Sequence, residues 1–115
     1  MPIILKGKSG KEYLFDIYDD AFVPHIENCV YIYAKKVNSI VTPIYIGITC
    51  RDFNTRYKEH ENDSVNHCTG FEESNCFLFH TSSDAHHPFT EDTLRAIEGN
   101  LLAKYCPPCN DKIPS

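Results

Sequence analysis

The sequence predicts an α+β domain: a small antiparallel sheet with a three-stranded core, flanked by helices and preceded by an extra N-terminal β-hairpin. Three observations predict it. Apolar residues alternate with polar ones at Tyr13, Phe15 and Ile17, the period of a half-buried strand. Runs at 29–35, 44–48 and 75–81 are rich in β-branched and aromatic residues and are too short for helices of ordinary length. Two further segments, 53–61 and 91–105, follow capping residues and space their apolar side chains as helices do.

The elements follow in order. Ile3-Ile4-Leu5, a Lys8-Ser9-Gly10-Lys11 turn and the alternating stretch to Tyr18 make the hairpin. Residues 19–28 connect it to the strand beginning at Cys29. A turn over 37–42 ends before Pro43, so the strand at Ile44–Ile48 pairs antiparallel with its predecessor. Asp52 is placed to cap the first helix, and 62–74 is polar loop. The third core strand carries Phe77 and Phe79. Thr90 caps the second helix, whose first turn is acidic, as the helix dipole favours. Leu94, Ile97, Leu101 and Tyr105 form its core stripe, and Pro107-Pro108 ends it.

A chain of 115 residues, 42 % of them apolar, makes one compact domain with a single core. Within it, 1–28 is a hairpin and connector packed on the core, and 29–115 is the functional domain. No apolar run is long enough to span a membrane. The N-terminus lacks the pattern of a secretory signal, which predicts a cytoplasmic protein with its six cysteines free. The net charge of −5 argues against a general nucleic-acid binder. Residues 29–60, however, hold five basic against two acidic side chains, whereas 61–98 hold eight acids and one base.

Candidate chemistry gathers in a few places. Glu98 lies beside the buried stripe of its helix, where a carboxylate is costly unless it meets a cation or a metal; an ion pair with Arg95 or Arg56 explains it equally well. Arg56 and His60, four apart, share a helix side. Arginine grips phosphate bidentately and histidine moves protons near neutrality, although an ordinary exposed helix face would read the same. Tyr31 and Tyr45 sit on adjacent strands, where tyrosines are usually fillers, but Gly47 nearby marks a close approach. Together these supply a proton acceptor, a phosphate clamp and a metal carboxylate. Cys106-Pro107-Pro108-Cys109 suggests zinc, with partners sought among His67, Cys68, His86 and His87, or a dithiol. The spacings match no standard finger, and the motif follows a helix rather than opening one, so a helix stop with incidental thiols is the simplest reading. His86-His87 reads as surface.

Val30-Tyr31, Tyr45-Ile46-Gly47, Arg56, His60, Ile97-Glu98 and Asn110, in this order, resemble the GIY-YIG nuclease family over residues 29–110. The chain departs from the pattern in having Cys29 where the family has its first glycine, and in a longer gap between the tyrosines. The resemblance implies an endonuclease, a hydrolase that cuts phosphodiester bonds of nucleic acid, with DNA the first candidate. It implies one divalent ion, Mg²⁺ or Mn²⁺, held mainly by Glu98. Tyr31 or Tyr45 would orient or deprotonate water, with Lys36, Arg56 or His60 as the nearby cation or base that a phenol needs for this, and Arg56 would stabilise the phosphorane-like state. Lys36, Gly47 and Asn110 would serve substrate binding, with Asn110 also holding the strand. A monomer would nick and a homodimer could cut both strands, with targeting left to loops or a partner protein. The alternative is a catalytically inactive interaction module on the same fold, binding nucleic acid or protein.

Overall fold

The computed structural model describes residues 2–19, 21–60, 68 and 73–110, and of His60 the backbone alone. The 62–74 loop, His67 and the last five residues therefore lie, wholly or mostly, outside the described residues. The elements are strands β1 (Ile3–Lys6), β2 (Glu12–Asp19), β3 (Cys29–Val37) and β4 (Ile40–Thr49), helix α1 (Phe53–His60), strand β5 (Cys76–His80) and helix α2 (Glu91–Tyr105). The α+β class and the antiparallel three-stranded core are as the sequence predicts.

The strands form one antiparallel sheet in the order β1-β2-β5-β3-β4. The core is β5-β3-β4, and the N-terminal hairpin extends it because β2 pairs with β5, Asp16 opposite Phe79 and Tyr18 opposite Phe77. Strands β3 and β4 run longer than the sequence suggests. Their link is a two-residue turn in which Asn38 and Ser39 have φ of 57° and 91°. Positive φ at both positions matches the twist of a tight hairpin. Pro43, which marks a boundary in the sequence, lies inside β4. It is tolerated there because β4 is an edge strand and the register shifts at this point, Tyr33 facing Tyr45 but Ala34 facing Pro43.

Alternation along the strands sends residues to two faces. On one, Phe15, Val30, Ile32, Ala34, Ile46 and Leu78 pack with Leu94, Ile97 and Leu101 of α2. On the other, Tyr31, Tyr33, Tyr45, Phe77 and Phe79 pack with Phe53 and Tyr57 of α1. Helix α2 matches its predicted span, with the Thr90 hydroxyl accepting from the Thr93 N–H at 3.3 Å. Its C-cap is Cys106, in left-handed conformation, whose N–H donates to the Leu102 carbonyl. Asp52 does not cap α1 with its side chain. Its Oδ2 lies 2.6 Å from Nδ1 of His25, and its Oδ1 has no hydrogen-bond partner among the described residues.

The expectation of free cysteines is overturned. Cys68 and Cys109 are disulfide-bonded, with Cα atoms 5.8 Å apart; Cys29, Cys50, Cys76 and Cys106 form no disulfide among the described residues. Cys109 is thus no incidental thiol of a helix stop. Sequence spacing cannot show this pairing, because 41 positions separate the partners and only the tertiary fold brings them together.

Candidate active site

Cross-strand pairing places Tyr31 directly opposite Gly47. The tyrosine ring lies across the glycine: a Cβ at position 47 would stand 2.6 Å from both Cζ and the hydroxyl oxygen of Tyr31. The close approach that Gly47 signals is therefore made by a side chain of the neighbouring strand. Tyr45 stands two residues before Gly47 on the same strand, its ring centroid 6.2 Å from that of Tyr31. Phe53, the first residue of α1, is packed 5.0 Å from Tyr31. This anchor directs the next turn of the helix, and with it Arg56, toward the phenols.

Glu98 reaches the same place from α2, which packs chiefly against β4. Among the described residues it is one of two buried polar ones, the other being Thr49, and is 6 % exposed. Tyr31, Tyr45, Gly47, Arg56 and Glu98 all line one groove of about 340 Å³. Residues close to seventy positions apart in sequence are thus drawn together at the edge strand. Among the described residues, no three His, Cys, Asp or Glu side chains cluster as a ready-made metal cage.

Burial pushes the Tyr31 phenol well above its ordinary pKa, and Tyr45 adds to the shift, while the charge and hydrogen bond of Arg56 oppose it. For Arg56, burial disfavours the charge, but Tyr31 and Glu59 outweigh it and hold the guanidinium protonated. Glu59 accepts from Arg56 at 3.3 Å and from both terminal nitrogens of Arg51 at 2.9 and 2.6 Å.

The remaining candidates lie elsewhere. Lys36 lines a separate pocket with Ile17, Asp19, Asn75 and Cys76. Asn110 clasps β4: its amide nitrogen donates to the Ile46 carbonyl at 2.9 Å, and its oxygen accepts from the Ile46 N–H at 2.8 Å. The neighbouring Cys109 N–H donates to the Ile44 carbonyl at 3.1 Å, so the disulfide-tied tail pairs with the edge strand beside the tyrosines. His60 closes α1, and its side chain lies outside the described residues. His87 pairs with Asp84 at 2.8 Å in an exposed loop. Thr49, Cys50, Arg51, Glu91 and Arg95 also line the groove, although neither periodicity nor motif spacing singles them out.

No curated protein and no solved structure matches this chain significantly. The family model of the GIY-YIG catalytic domain matches residues 27–107, most of the chain, from the connector before β3 to just past α2. The groove lies within that span, and the chain belongs to the GIY-YIG catalytic-domain family, whose members are generally endonucleases.

Proposed function

We propose that this protein is a metal-dependent endonuclease that hydrolyses phosphodiester bonds of nucleic acid, with DNA as the substrate to test first. The observation that carries this reading is the convergence of Glu98, Arg56, Tyr31 and Tyr45 on one groove. Between them they supply the parts the chemistry needs. Arg56 offers a planar, permanently charged fork to the scissile phosphate and meets the charge that builds on its oxygens. Tyr31 keeps its proton at neutral pH, because its burial opposes ionisation. It therefore acts by orienting the attacking water or a phosphate oxygen through its hydroxyl, rather than as the base. Tyr45 shares that task from the adjacent strand. His60, one helical turn beyond Arg56, is the proton acceptor we assign.

The donor set suits a hard divalent ion. Mg²⁺ is commonly held by one or two carboxylates, with water and substrate phosphate completing its shell, and Glu98 provides such a carboxylate on the groove wall. Mg²⁺ or Mn²⁺ bound there would offset negative charge on the phosphate and the leaving oxygen. Gly47 serves by leaving room for Tyr31, and Asn110 by holding β4 in place. Lys36 is left for contact with substrate away from the groove.

The competing reading, an inert module for binding nucleic acid or protein, draws on Cys29 and on the acidic net charge. Cys29 pairs in regular register with Thr49 and is not among the residues with positive φ, so the lost glycine leaves ordinary strand backbone beside Tyr31. This favours the enzyme. No helix among the described residues is long and apolar enough to cross a membrane.

The test is cleavage of supercoiled plasmid and of labelled oligonucleotides with and without Mg²⁺ or Mn²⁺. Metal-dependent scission is expected from the parent, with Glu98→Gln and Arg56→Ala slower by about 100-fold or more. Cutting at the parental rate by either variant would refute the assignment. Binding without scission under every metal condition would establish the inert module.

A further inference from the structure

The chain contains only three arginines among its 11 basic residues, and all three, Arg51, Arg56 and Arg95, line the groove. No lysine among the described residues does so. Arginine differs from lysine in presenting a rigid fork of donors that fits two phosphate oxygens at once. A protein of net charge −5 has thus placed every such fork on one concave surface, from the β4–α1 link, from α1 and from α2.

Arg51 is positioned with care. Its N–H donates to the Thr49 hydroxyl at 3.1 Å, and that hydroxyl donates to the Arg51 carbonyl at 3.2 Å. Thr49 is buried, so the backbone of Arg51 is fixed at the groove rim while its side chain stays exposed. Arg95 reaches the groove from α2, one turn before Glu98. Both outer arginines are engaged by exposed carboxylates, Arg51 by Glu59 and Arg95 by Glu91, the latter at 3.4 Å. Both pairs are open to solvent and screened by salt, and a backbone phosphate offers the same bidentate geometry and the same charge as a carboxylate, repeated along a strand. Glu59 and Glu91 thus hold the two guanidinium groups at the groove through pairs that solvent reaches.

We propose that Arg51 and Arg95 are substrate-binding residues that grip the phosphates on either side of the scissile one, so that the preferred substrate is a polynucleotide strand spanning at least three consecutive phosphates rather than a mononucleotide or an isolated diester. This rests on the reading of the groove as a phosphodiester site. It adds two grips that the sequence motifs do not contain.

The experiment is binding of fluorescein-labelled oligothymidylate of 20 nucleotides by the full chain in EDTA, where no cutting occurs, across a series of salt concentrations. The parent is compared with Arg51→Gln, Arg95→Gln and the double variant. All are checked for parental thermal stability, which exposed positions should preserve. Each outer phosphate contact contributes about 0.7 to the slope of log K against log salt for a single strand. Each single variant is therefore expected to lower the slope by about 0.7, and the double variant by about 1.4. In parallel, a one-phosphate diester, bis(p-nitrophenyl) phosphate, is assayed with metal. Its hydrolysis should suffer far less than oligonucleotide cleavage. Slopes equal to the parent's would overturn the proposal, as would equal losses on the two substrates. Loss of slope in the variants while the parent never cleaves would instead support the grips and refute the hydrolase.

Discussion

The face of the sheet under α2 is mainly aliphatic, whereas the face under α1 is a crowd of aromatic rings. Beneath α2, Val30, Ile32, Ile46, Leu78, Leu94 and Leu101 interlock with no hydroxyl among them. Beneath α1, Phe53 meets Phe79 at 4.7 Å between centroids, Tyr33 meets Phe77 at 5.4 Å, and Tyr31 and Tyr45 carry their phenols toward the groove. The same strands supply both faces, one residue apart. A ring that is buried through its body yet polar at its tip can serve packing and chemistry together; an isopropyl group cannot. The comparison teaches that stability and the candidate site are segregated by strand parity, and meet only at edge strand β4, where Glu98 joins the phenols.

The largest expected effect tests the aliphatic face alone. Leu78→Ala removes a fully buried side chain of the central strand and should cost about 2–5 kcal/mol of unfolding free energy in urea titration. Cleavage per folded molecule should stay at the parental level, since Leu78 does not touch the groove. A large loss in specific activity would break the segregation.

Next, Gly47→Ala probes the aromatic face where packing and chemistry coincide. The added methyl must displace the buried Tyr31 ring, at a cost of about 1–3 kcal/mol. Activity should fall with stability. In a Tyr31→Ala background the same substitution should cost little more, and the double-mutant cycle measures that coupling. Additive losses would show that Gly47 matters for another reason.

Smallest near neutral pH, and growing only above pH 9, is a pH dependence. Burial, followed by Asp52 and then Cys50, pushes the Cys29 thiol from 9.0 up to about 12. The folded state therefore keeps a proton that the unfolded chain has lost between those values. Its stabilising contribution is complete below pH 9 and is lost as pH rises toward 12. The slope is on the order of 1 kcal/mol per pH unit. Cys29→Ala should flatten that part of the stability profile. An unchanged profile would show that Cys29 is not buried as described.

Much of this could be read from residue order. The span of α2 was legible because Thr90, its acidic first turn, the Leu94–Ile97–Leu101 stripe and Pro107-Pro108 all act locally. Glu98 was legible as a carboxylate out of place on that stripe. Strands β3 and β4 were legible in kind but not in length, because Asn38 and Ser39 turn within two residues and Pro43 is tolerated only at an edge, and edge position is not a local property. The place of Asn110 in the site rests on resemblance; its side chain is hydrogen-bonded to the backbone of Ile46, a contact between residues 64 positions apart that no local pattern signals.

By itself, then, the order of residues determined which segments become strands and helices, which faces are apolar, and which side chains could hold phosphate or a metal ion. These follow from periodicity, capping and residue chemistry, all of which act over a few positions. Only the tertiary structure decided that the hairpin joins the sheet through β5, that Cys68 bonds to Cys109, that Tyr31 fills the space Gly47 leaves, and that all three arginines share one groove with Glu98. Such decisions depend on strand order and on the docking of α2 at an edge strand, which arise from the packing of the whole chain.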